Sequence, residues 1–134
     1  MNSMKNLSEN EISKIVVDSA LKVHKQLGSG LLESVYQKIL KMELEKRGLT
    51  VESEVPLPVE YDGELVDSGY RADLFVEKKV IIELKATQRP NFVHKQQLLS
   101  YLKLSNIKLG LLINFGLPLL KDGINRVVNG LEEN

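Results

Sequence analysis

The stretch that most constrains this chain is Val80-Ile81-Ile82-Glu83-Leu84-Lys85-Ala86. Three β-branched apolar residues in succession predict a strand buried on both faces, so the sheet that holds it must be flanked on both sides. Glu83 and Lys85 follow with no turn residue between. Side chains alternate across a strand, so these two charges point one way and Leu84 the other. Such a run is either a strand end emerging into solvent or an active site at the rim of a sheet.

The remainder of the chain narrows the setting. Its 134 residues suit one domain over 1–134, with loosely ordered ends expected near 1–7 and 130–134. A 43% hydrophobic and 27% charged composition is that of an ordinary globular protein. Without cysteine, neither a disulfide nor a thiolate metal site can form. No apolar run is long enough to span a membrane, and the polar start MNSMKNLSENE is no signal peptide, so a cytoplasmic location is expected, with no membrane partner. The 18 basic and 18 acidic residues cancel. Any nucleic-acid role must therefore rest on a local patch rather than on overall charge.

Local signals lay out the elements. Ser8-x-x-Glu11 forms a capping box, and Ile12, Val16, Ala20, Val23 and Leu27 recur at helical spacing up to the break Gly28-Ser29-Gly30. A second helix is expected from about Leu31, with Val35, Tyr36, Ile39, Leu40 and Leu44 inward and Gly48 just past its end. Residues 51–86 suggest a three-stranded meander, irregular at Pro56 and Pro58 and turning at Tyr61-Asp62-Gly63-Glu64. A third helix runs from after Pro90 to about Leu104. Leu109–Phe115 reads as a buried strand, and Ile124–Val128 as a short last one. The order ααβββαβ(β) predicts a mixed α/β fold around a central sheet.

The second hairpin can be set in register. With residues 77–79 as the connection, Val76 faces Val80, Leu74 faces Ile82 and Ala72 faces Leu84, giving one wholly apolar face. The other face sets Phe75 against Ile81, Asp73 against Glu83 and Arg71 against Lys85. Opposed residues have Cβ atoms about 4.5–5.5 Å apart, so two carboxylates stand side by side beside two cations. Adjacent carboxylates repel and need a positive partner. One solution is a lattice of Arg71–Glu83 and Lys85–Asp73 salt bridges. The other is a hard divalent cation, Mg²⁺ or Mn²⁺, held by carboxylate and carbonyl oxygens, with Lys85 orienting a nucleophile or stabilising developing negative charge.

Asp73 followed by Glu83-x-Lys85 resembles the signature of the PD-(D/E)xK nuclease superfamily, and Gly30-Leu-Leu-Glu33-Ser-Val-Tyr36 resembles that of its GxxExxY branch. The segments HKQLGSGLLESVY, GYRADLFV, IIELKA, HKQQLLSYLK and LGLLINFG follow in that family's order over roughly residues 12–129. The resemblance implies a restriction-endonuclease-like αβββαβ core, a central mixed sheet flanked by helices, here with one extra N-terminal helix. It also implies a metal-dependent nuclease acting on DNA or RNA through Mg²⁺ (or Mn²⁺). Carried over, Glu33, Asp73, Glu83 and the Leu84 carbonyl are the metal ligands, Lys85 the catalytic lysine, and Gln97 a polar residue that positions substrate or water. Ala72 stands where the motif usually has proline, which leaves the acid's chemistry untouched.

Each residue also has a plainer role. Glu33 is favoured in a helix's first turn by the dipole alone. Tyr36 suits the core, its hydroxyl finding one partner. Gly30 serves the backbone between helices. Gln97 interrupts a Val93/Gln97/Tyr101 stripe and would equally serve a buried hydrogen bond. His94 and the Lys78-Lys79 turn suit solvated positions, and His24 lies in the family-like segment without an assigned role. The alternative to an enzyme is a catalytically silent nuclease-fold module for nucleic-acid binding or protein interaction, since fold does not fix function. A catalytic domain of this size would gain from forming a homodimer to grip a duplex.

Overall fold

Helix α1 (Glu9–Leu27) starts where the capping box places it: Ser8 Oγ accepts the Glu11 N–H at 3.1 Å, and the Ser8 N–H donates to Glu11 Oε1 at 2.9 Å. The chain is described by a computed structural model over residues 6–89 and 92–132; the expected loose ends fall largely outside these residues. Helix α2 (Glu33–Lys46) begins two residues later than its apolar pattern suggests. The Tyr36 hydroxyl explains the delay: it donates to the Gly28 carbonyl and accepts the Leu31 N–H, pinning 28–31 as a loop. At the other end Gly48, at φ 90°, closes a Schellman motif, with Gly48 N–H on Glu45 O and Leu49 N–H on Leu44 O.

Strands β1 (Val51–Pro56), β4 (Arg71–Val76), β5 (Val80–Lys85), β6 (Leu109–Asn114) and β7 (Ile124–Val128) form one sheet in the order β1-β4-β5-β6-β7. Only β5 and β6 run parallel, joined by α3 (Phe92–Ser105); the sheet is mixed. This is the restriction-endonuclease-like arrangement, with α1 as the added element. The continuous apolar run of β5 is explained by its two faces. Val80 and Ile82 pack with Ile12, Val16, Tyr36 and Leu40 of α1 and α2, while Ile81 packs with Leu98 and Leu102 of α3.

The expected meander needs correction. The turn at Tyr61–Glu64 does not join two strands of the main sheet; it closes a separate hairpin, β2 (Val59–Tyr61) with β3 (Glu64–Val66), inserted between β1 and β4. Asp62 and Gly63 both have positive φ, 51° and 81°, so the turn closes tightly on its immediate neighbours. Pro56 and Pro58 meanwhile end β1. In α3 the buried positions are Leu98 and Leu102, so Val93 and Gln97 lie on the exposed side and the expected inward stripe is shifted.

Candidate active site

The β4–β5 hairpin has two unlike ends. Near its turn the pairs Val76↔Val80, Phe75↔Ile81 and Leu74↔Ile82 form the expected register. Past Leu74 the main-chain ladder stops, and side chains take over: Asp73 Oδ2 accepts the Leu84 N–H at 2.7 Å, and Glu83 Oε1 lies 3.4 Å from the Asp73 N–H. Ala72, no longer held to β5, joins the cluster on the α3 side rather than the face of Leu74. The gap between diverging strands is thus lined by two half-buried carboxylates.

Their environment is unusual for acids. Burial pushes the Asp73 carboxyl up to about 6; the Leu84 N–H opposes this, and the charges of Glu33 and Glu54 add to it. Burial pushes Glu83 up to about 7, reinforced by Asp73 and opposed by Tyr70 and Lys85. The salt-bridge lattice is not formed. Ion pairs within 4 Å among the described residues lie elsewhere, at Lys22–Glu43, Lys41–Glu45 and Arg47 with Asp18 and Glu43. Arg71 is exposed and paired with Pro56 in the β1 ladder, while Lys85 acts on the two acids only through space.

Three further residues shape the site, and the sequence did not single them out. The Tyr70 hydroxyl donates to Glu83 Oε1 at 2.6 Å, and its ring stacks on Tyr101 of α3 at 4.0 Å. Burial and the Glu83 charge raise the Tyr70 pKa, so it remains a donor. Gln37 Nε2 bridges Glu54 Oε2 at 2.7 Å and the Asp73 carbonyl at 3.2 Å. Gln37 lies four residues after Glu33, on the same helix face, a spacing that could have flagged it. Glu54 sits at φ 55°, a left-handed conformation within a strand that a glutamate does not advertise.

The other candidates divide. Glu33 is exposed at the first residue of α2 and reaches Asp73 only electrostatically. Among the described residues no three His, Asp or Glu side chains group closely enough to hold an ion by themselves. Gln97 is exposed and forms no buried hydrogen bond among the described residues, against its plainer role. His94, half-buried, is held below its ordinary pKa by burial and then by Lys85, which places it beside the lysine. His24 Nε2 lies 2.9 Å from the Leu117 carbonyl, tying α1 to the loop after β6. Tyr36 is core, stacked on Phe115 at 4.5 Å, with two hydroxyl partners rather than one. Lys79 is not merely solvated: its ammonium donates to the Leu7 carbonyl at 2.6 Å.

A mixed five-stranded sheet with two acids and a lysine at the open end of its central hairpin defines a nuclease-type fold. Residues 10–127 match the PD-(D/E)XK nuclease superfamily, and the chain belongs to it. The crystal structure of SSO0001 is similar, with a TM-score of 0.51 and 24% identity. That match covers 89% of this chain but 58% of SSO0001, so the chain spans less than two thirds of that protein's length. At this identity the likeness concerns fold. No curated protein matches the sequence. No helix among the described residues is long and apolar enough to cross a membrane.

Proposed function

We propose that this chain hydrolyses phosphodiester bonds in nucleic acid with the help of a divalent cation, Mg²⁺ or Mn²⁺, as a GxxExxY-type member of its superfamily. One observation carries the reading: two half-buried carboxylates share the gap between β4 and β5 with raised pKa values and, among the described residues, without a cation in ion-pair contact. The donor set fits a hard ion. Tyr70 occupies Glu83 Oε1 and the Leu84 N–H occupies Asp73 Oδ2, leaving one oxygen on each acid for a ligand. A strand residue's N–H and C=O leave by the same edge, so the Leu84 carbonyl serves the same gap. Two carboxylates with a carbonyl, completed by water and phosphate, suit Mg²⁺, which keeps several waters and tolerates few protein ligands. When bound, such an ion screens the phosphodiester's charge and makes water easier to deprotonate.

The protein's own groups do the rest. Tyr70 and the Leu84 N–H fix the two carboxylates so that neither rotates away from the gap. Lys85, with no ion-pair partner among the described residues, orients the attacking water or donates to the phosphate oxygen where charge builds. Glu33 contributes through a water molecule, and Gln97 on exposed α3 steadies substrate. The zero net charge favours a second reading, a binding module without catalysis. Purified protein tested on a panel of DNA and RNA with Mn²⁺ separates the two. Cutting that stops with EDTA and is lost in Asp73→Ala, Glu83→Ala and Lys85→Ala supports the enzyme. Salt-sensitive binding without cutting across the panel supports the module.

A further inference from the structure

We propose that the cleft beside Lys85 receives a single unpaired nucleobase, so that the strand cut is one whose base has left the duplex stack. The inference rests on the nuclease reading of Lys85 and extends it to the kind of substrate. The cleft, of about 200 Å³, opens beneath the first turn of α3 where parallel β5 and β6 both end. Ligands of open α/β sheets favour that carboxyl-end rim. Drug-sized sites run to about 300–1,000 Å³, so this one takes a single ring system and not a helix.

Its lining is polarised. Lys85 and Lys95 stand on the β5 and α3 side; Asn125 and Asp122 stand by β7, two strands away. Leu112 and Leu117 lie between. A nucleotide entering with its phosphate at Lys85 therefore carries its base across apolar surface toward Asn125 and Asp122. Those two offer an amide and a carboxylate to a base edge. The two asparagines of the cleft differ in a telling way. Asn114 is spent on structure: Oδ1 accepts from the Thr87 and Gly116 N–H groups, and Nδ2 donates to the Thr87 carbonyl. The Asn125 side chain, on a residue paired with Leu112 in the β6–β7 ladder, makes no hydrogen bond within the described residues and is free to read a ligand. Phe92, 82% exposed at the cleft mouth, has little to gain from water and offers a stacking surface. Exposed aromatics beside basic groups are how unpaired bases are held.

One wall is tightly packed: a Cβ on Gly116 would fall 2.5 Å from the backbone of Thr87, which lines the cleft.

The chain has no tryptophan, which makes Phe92→Trp a direct reporter that preserves stacking. In EDTA, a short single-stranded oligonucleotide should quench its emission, while a blunt duplex and an abasic strand of equal length should not. In the wild-type background, Phe92→Ala and Asn125→Leu should each weaken single-strand binding, measured by anisotropy, roughly 10-fold. Equal binding of the abasic strand, or binding that leaves the tryptophan silent, overturns the inference. Metal-dependent cutting of blunt duplex with a silent tryptophan overturns it while the nuclease reading stands. Neither binding nor cutting of any strand sinks both.

Discussion

Glu43 and Glu83 are both withdrawn from solvent, and their surroundings treat them oppositely. Glu43, 9% exposed between α1 and α2, accepts from Arg47 Nε at 2.9 Å and from Lys22 Nζ at 3.2 Å. These cationic donors hold its carboxyl below the usual range, and Arg47 reaches on to Asp18. Glu83 has a tyrosine hydroxyl, a backbone N–H and another acid for neighbours, and its pKa rises to about 7. The first arrangement satisfies itself and joins two helices. The second has no cationic donor in contact and only Lys85, acting through space, to offset its charge, which is the setting the proposed metal would complete.

The contrast can be broken most sharply by adding metal. Mn²⁺ at 100 times its dissociation constant should stabilise the wild type by about 2.7 kcal/mol. Arg47→Met should keep that response and Asp73→Asn should lose most of it. Equal responses in thermal scans would remove the metal from the acid pair.

Without metal the two sites should answer substitution with opposite signs. In EDTA, Arg47→Met strands Glu43 beside a half-exposed lysine and should cost about 1–2 kcal/mol. Asp73→Asn relieves repulsion and should leave the melting temperature unchanged or raise it. A clear fall for Asp73→Asn, with no Mn²⁺ effect on the wild type, would mean that an undetected cation already balances the acids.

The pH dependence sharpens the same point. Glu43 has a lowered pKa, so its contribution is present at neutral pH and fades as pH falls through that value. Asp73 and Glu83 sit at about 6 and 7, above their ordinary 3.8 and 4.5. Between about pH 4 and 7 the metal-free native state therefore binds more protons than the unfolded chain, and the pair's contribution falls as pH rises. Melting curves in EDTA from about pH 5 to 8 should fall more steeply for the wild type than for Asp73→Asn. Parallel curves would contradict the raised pair.

The smallest effect belongs to Glu33. Its exposed position allows Glu33→Gln with a melting shift of no more than a few degrees. Mn²⁺ affinity by calorimetry should nevertheless drop. Unchanged affinity would leave Glu33 as a favourable first-turn charge for α2 and nothing more.

Much of the scaffold was legible because its causes are local. The capping box, Gly48 and the continuous apolar run of β5 each follow from neighbours in sequence. The acid pair was legible because hairpin register is set by the apolar pattern, and the pairs nearest the turn follow it. The destination of the Tyr61–Glu64 hairpin was not, since a turn signal fixes its own two strands and not the sheet they join. The inward stripe of α3 was misplaced because Val93 and Tyr101 are apolar enough to suggest burial, while Leu98 and Leu102 meet Ile81 and Leu112.

By itself, the sequence determined the three helices, the main-sheet strands in the order ααβββαβ(β) and the nearness of Asp73 to Glu83, all products of short-range periodicity and turn chemistry. Tertiary structure alone decided that β4 and β5 part at Asp73, opening the gap that side chains then fill. It decided that Tyr70, Gln37 and Glu54, from three separate elements, surround the acids, and that Lys85 borders a cleft reaching to β7. The reason is physical: pKa shifts and cavities depend on burial and on neighbours distant in sequence, which no local pattern encodes.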